Sequence, residues 1–168
     1  MTIHLKMLET LRRNIMSDLR RPHAHAGERV GFVTSRFGNS VDDLIILAHS
    51  FHPVSDENYD VDHQVGARFN SAAIRAALQI AYSDDVGVFH VHLHEHRGIP
   101  DPSSTDWNEW KKFVPNFWHV RPNLPHGTLI LSEDRMNGWC WYPKRNQPIP
   151  IHRFTLVGSG MQTWRTPT

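Results

Sequence analysis

The sequence predicts a mixed α/β or α+β fold, one β-sheet with helices on its faces. Three observations point there. Apolar residues recur at helical spacing in some segments and alternate in others, so helices and strands are interspersed along the chain. Most of the strands are separated by turns that suit hairpins. At 168 residues, with no Pro/Gly/Ser-rich stretch dividing it, the chain fits one domain over residues 1–168.

Residues 3–7 (IHLKM) alternate like a short strand. Leu8, Leu11, Ile15 and Leu19 then follow a helical stripe until Arg21-Pro22 stops it. Residues 22–27 (PHAHAG) form a loop, with His23 and His25 expected at its surface and, since Glu28 is near, a place lining the site as their other reading. Strands are predicted in ERVGFVTSR (28–36) and LIILAHSF (44–51), joined by the turn FGNSVDD. After the polar loop HPVSDENYDVD, Asn70 or Ser71 caps a helix with Ile74, Ala77, Leu78 and Ala81 on one face, ended by Ser-Asp-Asp. VGVFHVHLH (86–94) has the alternation and β-branched content of a strand, and RGIPDPS is the loop behind it. Another short helix starts near Ser103 and buries Trp107, Trp110 and Val114. GTLILSED, GWCWYP and IHRFTLVG complete the sheet as three more strands.

Apolar residues make up 39% of the chain and charged residues 21%, the composition of an ordinary globular protein. Eighteen Lys and Arg against seventeen Asp and Glu leave no global excess of positive charge for nucleic acid or an anionic membrane. The one basic cluster, Arg12, Arg13, Arg20 and Arg21, reads as the solvated face of its helix. No secretory leader and no span of membrane-crossing length is present, which predicts a cytoplasmic protein. The single cysteine, Cys140, excludes an internal disulfide and a cysteine zinc cluster, and its apolar setting in WCWY predicts a core position.

Thirteen histidines are the outlier, and four of them, His90, His92, His94 and His96, alternate along GVFHVHLHEH. Side chains two apart on a strand share a face, so any adjacent pair presents two imidazoles side by side, as a metal requires. A catalytic zinc uses three protein ligands and leaves a position for water. Asp106, in the first turn of the helix after the histidine strand, is the natural third ligand. Ser103, three residues earlier, can donate a hydrogen bond toward a developing oxyanion. Ser-x-x-Asp at a helix start is also a capping box, and an isolated His-x-His is often a polar surface pair.

Together these residues resemble the JAMM (JAB/MPN) metalloproteases, whose signature is Glu…His-x-His…Ser-x-x-Asp. Glu28 in ERVGFV, with Gly31 three positions on, matches the family's first element, and the resemblance runs from about residue 3 to 157. It implies a single MPN/JAB-like, cytidine-deaminase-like domain with Zn2+ held by His92, His94 and Asp106 and with Glu28 and Ser103 as catalytic residues. The family usually has eight residues from its second ligand histidine to the serine. Here the step is nine from His94 and seven from His96, while GVFHVH resembles the family's Gly-x-aromatic-His-x-His and would favour His90 with His92. Glu95 stands where the family has proline.

The activity implied is hydrolysis of the amide after the C-terminal glycine of a ubiquitin-like protein. Glu28 would carry the proton and Ser103 would steady the oxyanion. HVHLHEHRG and HGTLILSEDRMNGWCWYP are similar to bacterial JAB proteins that work with ubiquitin-like, E1-like and E2-like partners, including the Bil antiphage systems. Phe117 and Trp118 are expected to pack in the core, with an extended substrate tail as their other possible contact. The competing readings are a cupin-like metal enzyme or sensor for a small molecule, using His90, His92 and Glu95 or a later histidine, and a non-catalytic MPN binding module.

Overall fold

Burial of Ile3, Leu5 and Met7, with half-exposed neighbours between them, makes β1 (Thr2–Leu8) a strand with one apolar face. The computed structural model describes residues 1–22, 27–39, 43–61, 66–143, 145 and 147–166. Helix α1 (Glu9–Leu19) follows directly and buries Ile15, Met16 and Leu19. Leu8, expected on that helical stripe, ends the strand instead and is exposed. Arg12 also departs from a simple solvated face, because its guanidinium donates to the carbonyls of Ser132 and Glu133 at 2.9 and 2.7 Å. His23 and His25, and the middle of the turn after Asn39, lie outside the described residues.

Strands β2 (Val30–Asn39) and β3 (Asp43–Pro53) are antiparallel neighbours. Helix α2 (Ser71–Asp84) begins as the sequence predicts, with the Asn70 carboxamide oxygen accepting from the amides of Ala72 and Ala73. It ends at Asp85, whose φ of 52° is the left-handed conformation that closes many helices. Arg121 braces that end, with Nε donating to the Ala81 carbonyl and lying 3.0 Å from Asp85 Oδ1. Next come β4 (Gly87–Leu93) and α3 (Ser104–Phe113), and then a 3-10 turn, Val114–His119, that the sequence reading did not anticipate. The chain closes with β5 (His126–Leu131), β6 (Met136–Trp141), β7 (Ile149–Pro150), β8 (Arg153–Val157) and β9 (Met161–Arg165). Of these, β7 and β9 were not foreseen.

The nine strands among the described residues form one mixed sheet in the order β7-β6-β5-β4-β2-β3-β1-β8-β9. Parallel pairs join β1 to β3 and β8, and β4 to β5, while the remaining pairs are antiparallel. Two apolar layers cover the faces. Phe89, Val91 and Leu93 of β4 join the layer that contains Ile15, Met16 and Leu19 of α1. Val88 joins the opposite layer with Ala73, Ala77 and Ala81 of α2 and Trp110 and Phe113 of α3. With helices on both sides, β4 is buried along its whole length.

Trp110 in α3 and Val114 just after it are buried as expected, while Trp107 is half-buried against Trp110 and Trp139 at ring centroid distances of 5.4 and 5.0 Å. Phe117 is fully buried, and Trp118 is half-buried with its indole N–H on the Leu124 carbonyl, so both belong to the core. Cys140 is buried too. Among the described residues no helix is long and apolar enough to cross a membrane.

Candidate metal centre

Alternation along β4 sends its odd positions to the α1 layer and its even positions, His90 and His92, toward α2 and α3, with His94 continuing that face just beyond the strand. Antiparallel pairing sets Val30 of β2 opposite His92. Glu28, two residues before Val30, therefore falls beside the end of β4 on the same face. The first turn of α3 supplies Asp106. Three segments distant in sequence thus meet at the mouth of one cleft of about 820 Å3, lined among others by Glu28, His90, His92, His94, Ser103 and Asp106.

His92, His94 and Asp106 each offer a ligand atom within 4.8 Å of the others. The Nε2 atoms of His92 and His94 are 3.1 Å apart, and His92 Nε2 is 3.5 Å from Asp106 Oδ1. A tetrahedral ion bound at about 2.0–2.1 Å spaces its ligand atoms roughly 3.3 Å apart, so these separations bracket the edge of such a site. Two imidazoles and one carboxylate suit zinc, and other divalent first-row ions as well. Burial, the first cause for both rings, holds the His92 and His94 pKa values below the usual histidine value, which favours the neutral imidazoles that a metal requires.

Asp106 serves the helix as well as the site. Its Oδ2 accepts from the Ser103 amide and hydroxyl, both at 2.7 Å, while its own amide donates to Ser103 Oγ at 3.1 Å. This is a complete capping box built on Oδ2, which leaves Oδ1 facing His92, so the cap does not preclude a ligand role for the same carboxylate. The Ser103 proton is directed at Asp106 Oδ2, and an oxyanion role requires the hydroxyl to turn toward the substrate.

The Glu28 carboxyl is pushed above the usual carboxylate range by burial first and then by Asp106 and Glu95. Its side chain lies against Gly66, where an added Cβ would sit 2.8 Å from the carboxyl carbon, and its amide donates to the Gly66 carbonyl. Glu28 and His94 also line a second, smaller cavity of about 330 Å3.

His96 is exposed and turns to the Arg97 carbonyl, outside the cluster. His90 lies deeper, 5% exposed, packed on Phe69 and Phe113 at centroid distances of 5.7 and 5.3 Å. Among the described residues neither of its ring nitrogens has a hydrogen-bond partner, nor does His92 Nδ1. The sequence reading did not find Gly66, Phe69 or Phe113 in this cleft, because no spacing rule connects that loop and that helix position to the histidine strand. No family model matches the chain, and no curated protein matches it.

Proposed function

We propose that the chain is a zinc-dependent isopeptidase or peptidase of the JAMM type. Its substrate would be the amide after the C-terminal glycine of a ubiquitin-like protein, within a bacterial antiphage conjugation pathway whose E1-like and E2-like proteins are its partners. The convergence of His92, His94 and Asp106 with the buried Glu28 in one cleft carries this reading. A metal held by those three residues would supply Lewis acidity toward the scissile carbonyl and a water acidic enough to attack at neutral pH.

The chain's own residues do the rest. Glu28 takes the proton of the attacking water on its carboxylate and returns it to the leaving nitrogen, a task suited to a carboxyl with a raised pKa. Ser103 holds Asp106 and offers its hydroxyl to the oxyanion. Phe69 and Phe113 give the cleft an apolar wall for the acyl side of the substrate. The cupin alternative has less support, since it assigns no role to Asp106 or Glu28 and the sheet order ends openly on β7 and β9 instead of closing.

The test is to measure zinc content together with cleavage of ubiquitin-like proteins carrying a C-terminal amide or lysine conjugate. Glu28→Gln is expected to keep the metal and lower kcat by about 10²–10⁴. Wild-type rates in Glu28→Gln, or metal retained by Asp106→Ala, would overturn the reading.

A further inference from the structure

The described residues contain a few buried side-chain nitrogens and oxygens without a partner, and three of them belong to two adjacent rings: both nitrogens of His90, and Nδ1 of His92. His90 is enclosed by Phe32, Phe69 and Phe113, at centroid distances of 6.0, 5.7 and 5.3 Å, where a phenylalanine would suit the shape and leave no polar atom stranded. An imidazole kept in that setting calls for a polar task. The neighbour available is His92, whose ring centroid lies 5.6 Å away at a 42° tilt.

Metal-binding histidines nearly always donate their second N–H to an acceptor that fixes the tautomer and the ring. His92 turns Nε2 toward His94 and Asp106, which leaves Nδ1 on the far side of its ring without a carboxylate or carbonyl partner. We propose that His90 is the positioning residue for His92: one ring nitrogen of His90 accepts the His92 Nδ1–H when Nε2 takes up a metal. A rotation together with a small approach of the two rings would bring their nitrogens within hydrogen-bond reach, the arrangement that already holds between His92 and His94, whose centroids are 5.0 Å apart with nitrogens at 3.1 Å. A neutral imidazole is a softer acceptor than the usual carboxylate. It also adds no negative charge beside Glu28 and Asp106.

This inference rests on His92, His94 and Asp106 being the metal ligands, and the experiment keeps the two apart. Zinc dissociation constants are measured by competition with a chromophoric chelator for the wild type, His90→Phe, His90→Gln and Asp106→Ala, alongside the thermal midpoint of each metal-free protein. His90→Phe is expected to weaken zinc binding about tenfold to a hundredfold while its metal-free midpoint is unchanged or higher. His90→Gln, whose carboxamide oxygen can accept the same proton, is expected to recover most of the affinity. Cobalt substituted for zinc should show a shifted visible spectrum in His90→Phe and a near-native one in His90→Gln. Wild-type affinity in His90→Phe overturns the inference if Asp106→Ala loses the metal. So does equal weakening in His90→Phe and His90→Gln, or weakening that tracks a lowered metal-free midpoint. If Asp106→Ala binds zinc as the wild type does, the metal-site reading fails and takes the inference with it.

Discussion

Gly66 shows how a single atom can govern a site. The Glu28 carboxyl occupies the space where a side chain at position 66 would begin. Gly66→Ala is therefore expected to displace Glu28 and reduce turnover at least tenfold while zinc content stays that of the wild type. Assaying both on one preparation checks this. His126 offers a separate test through acidity. Its Nδ1 accepts from the Val88 amide, and burial lowers its pKa from 6.5 to about 4. Between those values the unfolded chain binds a proton that the folded chain refuses, so stability is full above about pH 6.5 and falls as pH drops toward 4. The shift corresponds to roughly 3 kcal/mol. Denaturant titrations from pH 7 to pH 4.5 should show a smaller loss for His126→Gln than for the wild type, and identical losses would remove His126 as the cause. His126 was not singled out from the sequence, since its role depends on a strand neighbour 38 residues away.

The start of α3 joins stability to function. Ser103→Ala removes the cap, and a loss of about 1 kcal/mol is expected. Because Ser103 also holds Asp106 Oδ2, the same change should weaken zinc binding, and the two effects can be read together by denaturant titration and chelator competition. The helix cap, the strand β4 and the cap of α2 were legible because each rests on neighbours within a few residues: Ser103 with Asp106, His92 with His94, Asn70 with Ala72 and Ala73. The choice among His90, His92, His94 and His96 was less so. Spacing to Ser103 admits several pairs, and the path of residues 97–103 determines which imidazoles face Asp106. Strand β9 escaped the reading because Met161, Gln162 and Thr163 are exposed, so the edge strand carries no apolar alternation.

At the level of the molecule, one sheet is covered on both faces, and the candidate metal centre sits at an end of its central strands, on the layer of α2 and α3. Saturating zinc at about a hundred times its dissociation constant should add about 2.7 kcal/mol, a rise of roughly 5–10 °C in the thermal midpoint that scanning calorimetry can measure. Asp106→Ala should show no such rise. The sheet-with-helices architecture was readable from alternation and helical spacing. The strand order was not, because the parallel pairing of β1 with β3 and β8 is set by contacts far apart in the chain. Opposition of Val30 to His92 has a temporal consequence as well. Glu28 precedes the histidines by more than sixty residues, and Asp106 follows them, so on the proposed reading a chain emerging from the ribosome would hold no complete site until α3 has been synthesised and β2 has met β4. If the proposed hydrolysis is its activity, the nascent protein would be harmless to amide bonds, its own included, for most of its synthesis.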